Sequence, residues 1–166
     1  DETFKYLEAT EGDRVLSQAY FDTYTESDGW SGALTFAGNG FNRKELYKVF
    51  VVEAGTFNYS GTLGNPNDVI IPISTGWNWI GVVADRNIPL NTALASLNPA
   101  DGDVIKGQRT FAVYQTGLGW TGSLDFLEPT KGYMLFSSNT GTLRYPANNG
   151  LQPTEAQLKS ANRLIA

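Results

Sequence analysis

A mainly β fold is the architecture this sequence predicts: two related small β-barrel or sandwich modules, each with one short helix, followed by a C-terminal helix. Three observations carry that expectation. The chain repeats itself internally, its apolar segments are short and bounded by turn residues, and its composition pairs 18 glycines with nine Phe, eight Tyr and four Trp. Glycine punctuates turns while aromatic and β-branched residues fill pleated, half-buried surfaces, so this mixture favours strands over long helices. A chain of 166 residues is long enough to bury a core in one domain or in two very small ones.

The repeat defines the organisation. At an offset of 90, Leu7 to Leu34 aligns without a gap to Leu97 to Leu124, and ten of 28 positions are identical, among them Gly12/Gly102, Asp13/Asp103, Phe21/Phe111, Tyr24/Tyr114, Gly29/Gly119, Trp30/Trp120 and Gly32/Gly122. After four extra residues in the first copy the match resumes at an offset of 86, pairing Tyr47, Phe50, Gly55, Thr56 and Tyr59 with Tyr133, Phe136, Gly141, Thr142 and Tyr145. This divides the chain into a first, incomplete repeat over 1–61, a second repeat over 62–147, and a loop with a helix over 148–166.

In the second copy Val69 to Ser74 reads as a strand, and Pro72 places it at an edge because proline donates no ladder hydrogen bond. Thr75-Gly76 turns the chain into a strand from Trp77 to Val83, on which Trp77 and Trp79 share a face. Leu90, Leu94 and Leu97 mark a short helix entered after Pro89 and stopped by Asn98-Pro99; Phe4 and Leu7 are its counterparts in the first copy. Asp101-Gly102 turns into Val104-Ile105, Phe111 to Tyr114 leads to a turn at Gly117-Leu118-Gly119, and Leu124–Leu127, Tyr133–Phe136 and Leu143–Tyr145 complete the strands. Near the C-terminus Thr154 and Gln157 have capping-box spacing, and Leu158, Ala161, Leu164 and Ile165 form one apolar stripe expected to pack on the second module.

The first copy has nothing upstream to match Val69–Val83. Three arrangements answer that gap: the chain is a piece of a longer array, residues 62–84 serve both copies, or another chain supplies the strands. An unpaired sheet edge attracts partners, so self-association through such edges is one expectation.

Chemistry is narrowed by what the chain lacks. With no Cys and no His, thiolate zinc sites, Cys nucleophiles and imidazole acid–base catalysis are excluded. A net charge of −5 disfavours nucleic acid as a partner, and no apolar run approaches the roughly 20 residues of a membrane-spanning helix, so membrane insertion is not expected. Asp13 and Asp103 recur at matched positions, with Glu11 and Asp101 close to matching, but each lies in a Gly-Asp or Asp-Gly turn where a short carboxylate bonds nearby backbone amides, and that role is expected over a glycosidase pair. Calcium is the one metal whose hard oxygen ligands are present, in the Asp101-Gly102-Asp103 and Asp28-Gly29 loops. Neither loop has the spacing of a known calcium site, so no metal and no other cofactor is expected.

Aromatics offer the remaining chemistry. Sugar rings stack on Trp and Tyr while polar neighbours bond their hydroxyls. The recurring Trp30 and Trp120, with Tyr24 and Tyr114 six residues earlier, are therefore the ligand-binding candidates, core packing being the competing role for each. Core packing is the expected role of each tryptophan, most of all of Trp77 and Trp79, which share a strand face; if one of the four is exposed, Trp120 or Trp30 is favoured.

The ordered set Gly76-Trp77-Asn78-Trp79-Ile80, Gly102-Asp103-Val104-Ile105-Lys106-Gly107-Gln108, Gly119-Trp120-Thr121-Gly122-Ser123-Leu124 and Leu127-Glu128-Pro129-Thr130-Lys131-Gly132-Tyr133-Met134 resembles a tandem Trp/Gly-rich β repeat of large secreted or cell-surface, adhesin-like proteins. The resemblance covers about 75 residues of the second copy and, more weakly, Leu7–Leu34 and Leu46–Tyr59 of the first, which has Asn39-Gly40-Phe41-Asn42-Arg43-Lys44 in place of the Pro-Thr-Lys-Gly turn. It implies an extracellular, non-catalytic module that binds a glycan or a surface protein. The alternative is a structural building block of a filament or layer, with strands shared between chains.

Overall fold

The computed structural model describes residues 8–36, 41–55 and 64–147. The helix expected at Phe4 and Leu7 and the one expected after Thr154 lie outside those residues. The described chain is mainly β, as expected from sequence, and falls into two units.

The first unit is one antiparallel sheet. β1 (Arg14–Leu16), β2 (Phe21–Thr25), β3 (Gly29–Gly32) and β4 (Lys48–Phe50) lie in the order β3-β2-β1-β4, and a single helical turn, α1 (Ala33–Phe36), follows β3. Asp22 explains the turn: its buried carboxylate accepts the amides of Leu34 (2.9 Å) and Thr35 (3.3 Å) together with the Thr35 hydroxyl, satisfying amides that the start of a helix leaves orphaned. The second copy has Ala112 at that place, and residues 123–125 form no helix there.

The second unit begins, as described, with a 3-10 turn at Pro66–Asp68 and continues through β5 (Ile71–Ile73), β6 (Gly76–Gly81), β7 (Ile88–Pro89), α2 (Leu90–Ala93), β8 (Val104–Lys106), β9 (Phe111–Gln115), β10 (Gly119–Gly122), β11 (Phe126–Leu127), β12 (Gly132–Ser137) and β13 (Gly141–Leu143). Five strands make an open sheet, β10-β9-β8-β12-β6, and two ribbons, β11-β7 and β13-β5, complete the unit. No sheet closes into a barrel among the described residues. Pro72 sits in the two-strand ribbon opposite Thr142, an edge position as its missing N–H requires. Ile80, Ile105, Ala112, Trp120, Tyr133 and Leu135 on the inner sheet face pack with Ile71, Ile88, Leu90, Leu94, Leu127 and Leu143 into one core. Burying such side chains stabilises the unit by about 1.5–3 kcal/mol each before conformational entropy is counted.

The two copies agree register for register. Val15↔Val49 and Val15↔Asp22 in the first unit match Ile105↔Leu135 and Ile105↔Ala112 in the second, and Tyr24↔Trp30 matches Tyr114↔Trp120. The difference lies at one edge: β12 has a strand on each side, β8 and β6, whereas β4 follows β1 at the end of its sheet.

Residues Arg43–Leu46 pack as part of the second unit. The Gly81 amide donates to the Lys44 carbonyl (2.9 Å), the Leu46 amide to the Trp79 carbonyl (3.4 Å), and Glu45 bridges Ile80. Glycine permits this close approach. Gly81 and Gly132 are opposed across β6 and β12, and a Cβ on the first would lie 2.6 Å from the Arg43 carbonyl oxygen, one on the second 2.6 Å from the Leu46 Cβ.

Tyr145 closes the core floor. It is fully buried, its hydroxyl donates to the Gly81 carbonyl (3.0 Å), and burial pushes its phenol well above the ordinary tyrosine value. As pH rises past about 10, the unfolded chain releases this proton while the folded chain keeps it, so the unfolded state binds fewer protons and stability falls. The melting temperature is therefore expected to decline above about pH 10, and Tyr145→Phe to blunt that decline while costing about 1 kcal/mol near pH 7 through the lost hydrogen bond. Melts followed by circular dichroism across pH check this; an unchanged alkaline slope in the variant counts against it.

Candidate ligand-binding surface

Strand alternation assigns the faces of β6. Asn78 and Ile80 point inward and Trp77 and Trp79 outward, which corrects the expectation that the two tryptophans are core. Asn78 reverses the reading because its buried amide is fully engaged: Oδ1 accepts from the Ser74 amide (2.9 Å), and Nδ2 donates to the carbonyls of Ser74 (2.8 Å), Gly76 (3.0 Å) and Leu135 (3.4 Å). A polar residue so satisfied can be buried without the penalty of an unpaired one.

The outer face is consequently aromatic. Trp77 is 38 % exposed, its ring meets Phe136 edge-on at 5.4 Å and 68°, and Lys106 Nζ lies 4.4 Å from the indole centroid. Those three residues come from adjacent strands, β6, β12 and β8, so the ladder fixes their spacing. The cation held over the indole and the edge-on phenyl ring both restrict the indole's rotation. Trp79 and Met134 form a second row, and Phe111, exposed and opposite Lys106, extends it. A shallow, open depression of about 380 Å³ lies along the β8–β9 hairpin at the edge of this face, with Gln108, Arg109 and Thr110 among its lining residues. An apolar platform with a basic and amide-bearing rim can stack a flat apolar ring and bond the polar groups around it.

The four candidates named from sequence fall elsewhere. Trp120 is 6 % exposed and belongs to the core, which is the packing role weighed above exposure and removes it as a binding candidate; its amide donates to Asn91 Oδ1 (2.8 Å) and its carbonyl accepts from Asn91 Nδ2 (3.3 Å). Tyr114 is half-buried against the same core. The pairs Tyr114–Trp120 and Tyr24–Trp30 adopt one geometry, centroids 5.5 Å apart and planes inclined 64° and 63°, so their recurrence reflects a shared packing unit. Trp30 and Tyr24 are partly exposed but lack the platform, which needs β6. The sequence signal for the platform was the alternation Trp-Asn-Trp-Ile read in the opposite phase.

The carboxylates are engaged by backbone. Asp13 and Asp103 are buried and accept amides at the turn before them (Thr10, Ala100) and just past the ends of β4 and β12 (Val52, Ser138). Glu11 accepts the Glu26 amide (2.7 Å), and the Thr116 amide beside Asp101 holds that carboxyl below the usual carboxylate range. Among the described residues no three His, Cys, Asp or Glu side chains converge on one point, and no helix is long and apolar enough to cross a membrane. No protein-family model, curated protein or solved structure matches this chain.

Proposed function

We propose that this chain is a non-catalytic β module that holds a glycan on the outer face of its second sheet and serves outside the cell or at its surface, within a larger adhesin-like protein. The observation that carries the reading is the exposed Trp77, braced by Phe136 and Lys106 beside a shallow depression lined in part by polar residues. The indole stacks on the apolar face of a sugar ring, and Gln108, Arg109 and Thr110 bond its hydroxyl or acidic groups. The likeness of the ordered motifs to surface repeats supports the location. The platform is set by strand register and its rim sits on the short loop between the paired strands β8 and β9, so little ordering of the platform is needed on binding.

Arrays of neutral and acidic glycans, followed by calorimetry on the hits, test the proposal. Trp77→Ala is expected to weaken binding about tenfold or more while leaving the fold intact, because the side chain is partly solvated and outside the core. Blank arrays, or unchanged affinity in the variant, would overturn it.

A further inference from the structure

The two units differ most informatively at one matched pair. Leu135 on β12 is 1 % exposed, whereas Val49, its counterpart on β4 in the same register, is 49 % exposed, and the neighbouring Phe50 is 58 % exposed. In the second unit β6 lies beside Leu135, pairing Asn78 with it, and Trp77 of β6 stacks edge-on against Phe136. Among the described residues no strand lies beside Val49 and Phe50 on the side away from β1.

We propose that the first unit is a strand acceptor: the edge and half-open core at Val49 and Phe50 seat an extended segment of the Ile71–Gly81 type, supplied by a separate repeat unit in which that segment is not already paired. The second unit is the template for the bound state. An incoming Gly-Trp-Asn-Trp-Ile-Gly strand runs antiparallel to β4, places its Asn opposite Val49 as Asn78 stands opposite Leu135, and sets its first Trp against Phe50 as Trp77 meets Phe136. Main-chain hydrogen bonds supply attraction and the alternate side chains supply register. A folded second copy is a poor donor, since its own β6 is paired with β12 and moving it would exchange one ladder for an equivalent one.

A synthetic peptide of residues 68–83, labelled with a fluorophore and carrying terminal lysines for solubility, is titrated with the full chain and followed by anisotropy. Saturable one-to-one binding is expected, with new amide protection at residues 47–52 in hydrogen exchange. Val49→Lys, at a site now half solvated but buried once the strand docks, is expected to weaken binding about tenfold or more, because it puts an unpaired charge under the incoming strand. Phe50→Ala should weaken it less, and circular dichroism establishes that both variants fold. Absence of saturation, equal binding to Val49→Lys, or protection gained at 132–137 instead would each overturn the proposal, the last by showing exchange into the second unit. Glycan arrays do not enter this test, so its failure leaves the binding face unaffected.

Discussion

Asp103→Ala is expected to destabilise the second unit by about 2–3 kcal/mol, an appreciable share of the stability of a domain this size. Its carboxylate is 1 % exposed and joins two distant pieces of chain: Oδ2 accepts the Ala100 amide (3.0 Å), and Oδ1 accepts the amide and hydroxyl of Ser138 (2.9 and 2.7 Å). The first contact closes the turn entering β8; the second ties down the chain leaving β12. Alanine removes the acceptor at the buried end of these bonds: the half-buried Ala100 amide loses its turn partner, at about 1–3 kcal/mol, while the amide and hydroxyl of the exposed Ser138 turn to water at a smaller cost. Asp13→Ala removes the matching contacts to Thr10 (3.0 Å) and Val52 (2.7 Å) but no hydroxyl, so a smaller loss is expected in the first unit. Urea titrations of both variants measure the difference, and a loss under about 1 kcal/mol for Asp103→Ala would mean that solvent replaces the carboxylate.

That the same aspartate closes the same turn twice shows why so much of the fold was legible. The repeat pairs turn residues and strand residues at fixed offsets, and a register fixed by turns on both sides leaves one arrangement for each strand. What escaped was decided by partners distant in sequence. The inward face of β6 looks polar until the acceptors and donors around Asn78 are known, and Trp120 looks like a site until its side chain is found in the core that also holds Leu90, Ala93 and Leu94. Arg43–Leu46 reads as a loop of the first copy, and the only local hint of its packing on β6 is the pair of glycines, Gly81 and Gly132, that leave space for it. The helical turn α1 had a signal in Asp22, where the other copy has Ala112, but a carboxylate 12 residues before the amide it accepts from is not a local cap.

Gly122→Ala is expected to cost about 3–5 kcal/mol, and the reason separates steric conflict from backbone preference. Gly122 ends β10 at φ +156°, and a Cβ there would sit 2.4 Å from the Phe111 carbonyl oxygen and 2.8 Å from the Ala112 Cα. Both are backbone atoms of the paired strand and cannot swing aside. The Phe111 carbonyl also accepts the amides of Ser123 (2.8 Å) and Leu124 (3.0 Å), so pushing it away breaks the bonds that turn the chain after β10. Gly117, at φ +85° in the exposed tip before β10, has nothing within 4 Å of its Cβ position, so Gly117→Ala pays the left-handed conformation alone, about 1 kcal/mol. The gap between the two variants in denaturant midpoint is thus a measure of the close approach itself. Gly32 repeats it at φ +152°, with the Phe21 carbonyl oxygen at 2.4 Å, so Gly32→Ala should damage the first unit in the same way. Equal losses for Gly122→Ala and Gly117→Ala would show that the strands separate at little cost and that the paired glycines are kept only for their backbone freedom.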